Sequence, residues 1–246
     1  MYQWNPWHGC TKISEGCRNC YVYQQDAQFH KNAKIVHIVS TKFEAPIAKD
    51  RSANYKIPSG SIIATCMTSD FFIEEADAWR PLAWSIIKER SDCLFNIITK
   101  RVDRIIKCLP EDWGNGYPNV ILNATAENQA MANQRIPIFL GVPAQHKGIV
   151  VAPILGKVDL TPFLGYKEIK MISVGGESAV NARPCDYNWV LDLKRQADEN
   201  NINFRFHQTG TYLIKNNRMY KIPMELEKEQ AAKANLNTEV VTITWN

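Results

Sequence analysis

Six short apolar, β-rich runs, each ending in polar residues before a helical pattern, constrain this 246-residue chain more than any other feature. The runs cover residues 61–66, 94–99, 119–125, 148–151, 170–174 and 203–208, and their starts lie 33, 25, 29, 22 and 33 residues apart. That is the spacing of βα units. Between the first two runs, Trp79, Leu82, Ala83, Ile86 and Ile87 recur at i, i+3, i+4, i+7, i+8, which predicts one apolar helix face. Val190, Leu193 and Ala197 mark a second such stripe before the last run. Runs that are apolar throughout read as strands covered on both faces, which favours a parallel sheet. No repeat, linker or low-complexity tract intervenes, so residues 1–246 read as one domain. The fold class is α/β with parallel strands: a complete or partial (β/α) TIM-like barrel, or an open sheet.

The ends of the runs separate a barrel from a generic sheet. The first ends in Thr68-Ser69-Asp70, the second in Thr99-Lys100-Arg101, and the third gives Asn123 and then Glu127-Asn128. The fifth ends in Gly175-Gly176-Glu177-Ser178 and the last in His207-Gln208-Thr209-Gly210. In a parallel barrel these ends share one face, where an active site sits. Any single one reads equally well as a helix cap. Five together predict a polar site at the mouth.

Seven cysteines, an odd number behind an N-terminus that does not read as a signal peptide, argue against a disulfide framework. With 45% hydrophobic and 22% charged residues the chain is globular, and no apolar run reaches the roughly 18 residues of a membrane span. A cytoplasmic protein without membrane contact is expected. The formal charge of +4 permits an anionic partner without requiring one.

Cys10, Cys17 and Cys20 fall within eleven residues, with Gly9 and Gly16 each preceding a cysteine so that the backbone can wrap closely. Cys66, Cys93, Cys108 and Cys185 are scattered, and Cys93 and Cys108 read as small hydrophobes in helix-like segments. Two metal chemistries fit the clustered three. Three thiolates can hold a [4Fe–4S] cluster and leave one iron open. Alternatively, His8 completes a tetrahedral Cys3His zinc site, although His8 and Cys10 would then have to chelate from a tight turn.

The N-terminal run Trp4-Asn5-Pro6, Gly9-Cys10-Thr11-Lys12, Gly16-Cys17 and Asn19-Cys20-Tyr21 resembles the three-Cys-motif family of uncharacterised bacterial and phage proteins, which is radical-SAM-like. Matches continue in family order through Met67-Thr68-Ser69-Asp70, Thr99-Lys100-Arg101, Glu127-Asn128-Gln129 with Arg135-Ile136-Pro137, Leu155-Gly156 with Val158-Asp159-Leu160, and Val174-Gly175-Gly176-Glu177-Ser178 with Ala182-Arg183-Pro184.

The resemblance implies a [4Fe–4S] cluster on Cys10, Cys17 and Cys20, S-adenosylmethionine (SAM) on the open iron, and reductive SAM cleavage by an electron from a donor. It also implies that Gly175, Gly176 and Glu177 grip the methionyl ammonium. Three features depart from the radical SAM pattern. The cysteines are separated by six and two residues rather than three and two, Asn19 stands where an aromatic usually precedes the last cysteine, and the Gly-Gly-Glu segment lies on a late strand. Ala152 also replaces the carboxylate of the relatives' Glu-Pro.

Charge assigns the remaining roles. Lys100 and Arg101 suit a carboxylate or phosphate, with one of the two expected to enter the site. Asp70, Glu127 and Glu177 suit ribose hydroxyls or an ammonium, and His207 suits proton transfer. The candidate catalytic residues are therefore Asp70, Lys100, Glu127 and His207. The candidate cofactor-binding residues are Gly175, Gly176, Glu177, Ser178, Arg101, Asn123 and Gln208, and the metal ligands are Cys10, Cys17 and Cys20. Trp4, Trp7, Tyr21 and Tyr23 serve either the core or a cofactor, and residues 238–246 alternate like an edge strand. Three functions follow: a radical-SAM-like enzyme acting on an unknown substrate, with a nucleotide or nucleic acid among the candidates; a zinc-stabilised nucleic-acid-binding or repair accessory protein; or an inactive barrel docking a neighbouring protein.

Overall fold

The structure, a computed structural model, describes residues 1–238. Seven strands build its main sheet: β1 (Tyr2–Trp4), β2 (Ile62–Thr65), β3 (Leu94–Thr99), β4 (Val120–Thr125), β5 (His146–Val151), β6 (Ile169–Gly175) and β7 (Asn203–Gln208). They lie side by side in chain order, and each neighbouring pair is parallel. Chain-order pairing is barrel connectivity, and the sheet curls into a half-barrel without closing β7 onto β1. The helices are α1 (Tyr21–Gln28), α2 (Ser40–Phe43), α3 (Arg80–Glu89), α4 (Gln129–Leu140), α5 (Tyr187–Glu199) and α6 (Glu227–Lys233).

All six expected strands are present, with ends shifted by a residue or two. The first stops at Thr65 because Cys66 turns into the left-handed region at φ 57°. The sequence reading missed β1, whose three residues are too short to show a period, yet β1 pairs with β2 across some sixty residues of chain.

Burial on both faces, expected for every strand, fails for several. On β3, Phe95, Ile97 and Thr99 are buried while Asn96 and Ile98 are partly open; on β7, Phe204 and Phe206 are buried while Arg205 is exposed. Register aligns the open rows, with Asn96 beside Ile121 and Ser173 beside Arg205. An unclosed barrel lacks the opposing strands that would fill its concave side, so that side keeps polar residues and solvent contact.

The buried face carries the core. Trp4, Phe95 and Trp84 anchor one cluster under β1–β4, and Phe204, Phe206, Val190 and Leu193 anchor a second under β5–β7. Each such side chain stabilises the fold by about 1.5–3 kcal/mol. The α5 stripe of Val190, Leu193 and Ala197 is buried as expected. On α3, Leu82 is exposed and Trp84 takes its place in the core. Cys93 lies in the turn between α3 and β3 and Cys108 ends a 3-10 turn, so neither sits in an α-helix; both thiols are buried, at 2.8 Å from Arg90 Nη2 and 3.2 Å from Arg80 Nη1. The outer edge of β7 is met by Asn237 and Thr238, whose side chains accept from the amides of Phe206 and Phe204 at 2.7 Å each. The rest of the expected edge strand, residues 239–246, lies outside the described residues.

Candidate metal centre at the barrel mouth

The segment 9–21 lies across the C-terminal ends of the strands. Gly9 N donates to Thr68 O at 3.2 Å, the Ser69 hydroxyl donates to Gly9 O, and the Tyr21 hydroxyl donates to Met67 O, which fixes the segment to the chain beyond β2. Gly9 has φ +92°, and a Cβ there would lie 2.4 Å from Ile35 O, so the turn into Cys10 requires glycine. A 3-10 turn at Glu15–Cys17 then brings the chain to Cys20, and α1 starts at the next residue.

Three buried carboxylates, from beyond the ends of alternate strands β2, β4 and β6, each pair with an arginine and mount one part of this loop. Asp70 accepts from Thr99 Oγ1 (2.7 Å), Phe72 N (3.0 Å) and Lys100 N (3.0 Å), and its Oδ2 lies 3.2 Å from Arg101 Nη1. Arg101 in turn donates to Thr11 O and Oγ1 at 2.9 Å, and its Nη1 stands 3.6 Å from Cys10 Sγ. Glu127 accepts from Arg135 Nη1 (2.8 Å), Gly16 N (3.2 Å) and the Ser14 hydroxyl. Glu177 accepts from Arg183 N (2.9 Å) and Nε (3.0 Å) and from Asn19 Nδ2 (2.9 Å), while Arg183 Nη2 reaches Glu15 O at 3.0 Å.

Burial disfavours charge on Glu127, but the Ser14 hydroxyl, Arg135 and Lys100 together hold its carboxyl below the usual carboxylate range. Glu177 likewise overcomes burial through Arg183 and Asn19 and titrates low. Glu127 and Glu177 are thus charged, and all three acids have their oxygens engaged by surrounding donors, which makes them anchors for the loop. Of the adjacent pair, Arg101 is buried against Thr11 and Cys10, and Lys100 stays partly exposed.

The three loop thiols are free and partly buried. Burial pushes the Cys10 thiol up to about 11, against the pull of the Arg101 guanidinium. Ser14 Oγ lies 3.8 Å from Cys17 Sγ. Among the described residues no three His, Cys, Asp or Glu side chains converge as ligands of a single ion. A cubane distributes its thiolates over separate irons, so three free thiols in one loop beside a guanidinium fit that donor set. For the Cys3His alternative, His8 Nε2 lies 2.9 Å from the Asp26 carboxylate, which leaves Nδ1 as the nitrogen that could ligate.

Elsewhere at the mouth, His207 Nδ1 lies 3.0 Å from Ser173 Oγ, and burial, with Arg205 and Lys228, lowers its pKa to about 4, so the ring is neutral near pH 7. Gly175 and Gly176 let β6 approach the end of β7: a Cβ on Gly175 would lie 2.2 Å from His207 Nε2, and one on Gly176 2.0 Å from Thr209 O. Gln208 Nε2 donates to Gly176 O (2.9 Å) and Ser178 Oγ (2.8 Å), and Ser178 donates to Glu227. Asn123 is not at a strand end: β4 runs on to Thr125, and Asn123 Nδ2 donates within the sheet to Asn96 Oδ1 (2.7 Å) and Ile97 O (3.0 Å). Trp4 and Trp7 are core residues, and the Tyr23 hydroxyl bonds Cys10 O.

Ser14, Asn19, Arg135, Arg183 and Glu227 received no role from sequence. A signal existed for two of them, because an arginine follows Glu127 by eight residues and Glu177 by six. Glu227 carried none; it is buried on α6, accepts from Ser178 and Thr211 hydroxyls, and burial raises its carboxyl.

The model of a family described as "Protein of unknown function (DUF5131)" matches residues 2–243. No curated protein and no solved structure matches the chain.

Proposed function

The chain belongs to the DUF5131 family of proteins of unknown function, and from that premise we propose that it is a radical-SAM-like iron–sulfur enzyme, in keeping with the resemblance of its N-terminal run to the three-Cys-motif family. The observation that carries the reading is the mounting of one three-thiol loop on Asp70–Arg101, Glu127–Arg135 and Glu177–Arg183 at the C-terminal face of a parallel half-barrel. Three separate mounts on a short loop fix the directions of its thiols, which a surface connection does not need.

Cys10, Cys17 and Cys20 would hold a [4Fe–4S] cluster. When bound, such a cluster supplies one-electron reduction of SAM. Arg101 stabilises the Cys10 thiolate from 3.6 Å, and Asp70 orients Arg101. Glu127 holds Ser14 and Gly16 beside Cys17, and Glu177 holds Asn19 beside Cys20. The concave face of the sheet carries the partly open polar residues Asn96, Ser173 and His207, which a substrate would meet there. An electron donor is the required partner.

Anaerobic purification with iron, sulfide and zinc assays tests the reading. A brown protein with about four irons supports it, and iron loss on Cys10→Ala, Cys17→Ala or Cys20→Ala with retention on Cys93→Ala or Cys108→Ala assigns the ligands. A colourless protein holding zinc, or full iron in Cys17→Ala, refutes it.

A further inference from the structure

Beside the cysteine loop, between residues 13–15, the turn 100–104 and one face of α4, lies a cavity of about 430 Å³. That volume is in the range of small-ligand sites, about 300–1,000 Å³. Its lining combines aliphatic and basic side chains.

One wall is apolar. Ile13 and Ile138 remain 46% and 44% exposed, and Met131 sits two helical turns before Ile138 on the same α4 face. Large aliphatic side chains left open inside a concavity are the lining expected where another molecule completes the packing.

The other wall is cationic. Arg135 is only 5% exposed, and Glu127 and Thr125 O occupy its Nη1 alone. Among the described residues its Nε and Nη2 have no hydrogen-bond acceptor, although the side chain lines the cavity. A guanidinium carries five donors, and those of Arg135 that the protein does not meet are open to solvent and available to a ligand in the cavity. Lys100 lines the same hollow; among the described residues no carboxylate forms an ion pair with its ammonium, although its charge acts on Glu127. Among the other lining charges, Glu15 and Asp103 are exposed, Arg101 pairs with Asp70, Arg104 with Asp77 and Arg135 with Glu127, so Lys100 is the lining cation without an ion pair among the described residues. The N-terminus of α4, capped by Asn128, adds a positive end at the same place.

We infer that this cavity is a binding site for a nucleoside monophosphate or a phosphate ester of that shape, with Lys100 and Arg135 on the phosphate and Ile13, Met131 and Ile138 against the ring. Phosphate rather than carboxylate fits a wall with several diverging donors. A flat ring suits the thioether of Met131 and the two isoleucines. The inference goes beyond the iron–sulfur reading and does not depend on it, since no metal ligand takes part in binding.

Calorimetric titration at low salt with AMP, GMP, CMP and UMP, and with adenosine, inorganic phosphate and benzoate as comparisons, tests it on the protein as purified. At least one monophosphate is expected to bind, with its nucleoside and inorganic phosphate each at least about tenfold weaker. Lys100→Ala should weaken binding about tenfold and Arg135→Lys, which keeps the Glu127 ion pair, about fivefold. Ile13→Asp, at an exposed position, should weaken it about tenfold by placing a charge on the apolar wall. Each variant is compared at unchanged melting temperature. No binding of any monophosphate, equal binding of adenosine or of inorganic phosphate, tighter binding of benzoate, or unchanged affinity in both Lys100→Ala and Ile13→Asp overturns the inference. Because iron content is assayed separately, absence of a cluster with intact monophosphate binding would fail the enzyme reading and leave this one standing.

Discussion

The Cα of Gly16 rests against the carboxylate of Glu127: a Cβ at that position would lie 2.8 Å from Glu127 Cδ and Oε1. Glu127 cannot yield, because Arg135 and the Ser14 hydroxyl hold it from two other sides and it is fully buried. The residue before Cys17 is therefore seated on the end of β4 by direct contact, with its own amide as one of the carboxylate's donors.

Gly16→Ala should accordingly lift the 3-10 turn off Glu127. Overpacking of this kind costs about 1–3 kcal/mol, and displacement of Cys17 should lower iron content alongside it. Chemical denaturation together with an iron assay checks both. Wild-type stability and wild-type iron in Gly16→Ala would show that the contact is relieved without moving the loop.

The Arg101–Asp70 pair predicts a non-additive result. Both groups are buried, so Arg101→Gln leaves the Asp70 carboxyl with three remaining donors and without its ion-pair partner, and should cost about 3 kcal/mol. Asp70→Asn should cost a similar amount by stranding Arg101. The double variant should be less damaging than the sum, with a coupling of about 1–3 kcal/mol. A double-mutant cycle from urea denaturation measures it; additivity within error would mean that the two side chains act independently.

Glu177 separates two roles. If it serves by holding Asn19 and Arg183, then Glu177→Ala loosens the residue before Cys20, and iron content falls together with any change that SAM makes in the electron paramagnetic resonance spectrum of the reduced protein. If it grips the ammonium directly, iron stays full and only the SAM response disappears. The occupied oxygens of Glu177 favour the first outcome. An unaltered iron content with an unaltered SAM response would remove both roles.

Much of this was legible in the sequence. Strand positions followed from apolar runs at βα spacing, and the polar strand ends that carry Asp70, Arg101, Glu127 and Glu177 followed from the same runs. The partners were not legible. Whether a carboxylate at a strand end is a free acid or an anchor depends on which distant side chain meets it, and Ser14 meets Glu127 across more than a hundred residues. The openness of the concave face was also hidden, since an apolar run looks the same whether or not the barrel closes over it. Asn123 was misplaced for a local reason: polarity at one residue of β4 reads as a strand end, while the structure uses its amide to bridge to β3.

His207 predicts how stability responds to acid. Burial, with Arg205 and Lys228, lowers its folded pKa to about 4 from the ordinary 6.5, so the folded state resists its protonation while the unfolded chain does not. Above pH 6.5 both states hold a neutral ring and the residue contributes no pH dependence. As pH falls below 6.5 the unfolded chain takes up the proton first, and stability declines until the folded ring also titrates near pH 4. The full decline is about 3 kcal/mol at most. Glu127 and Glu177 titrate low in the folded state, so their contribution is present above the ordinary carboxylate range and is lost only as pH falls below it, beneath most of the His207 window. His207→Gln should therefore flatten the stability profile between pH 6.5 and 4.5 while leaving the steeper loss at lower pH in place. Urea denaturation across that range for both proteins decides the matter: parallel profiles would mean that His207 is protonated as readily in the folded protein as in the unfolded chain, and that its place between Ser173 and Gly175 does not desolvate it.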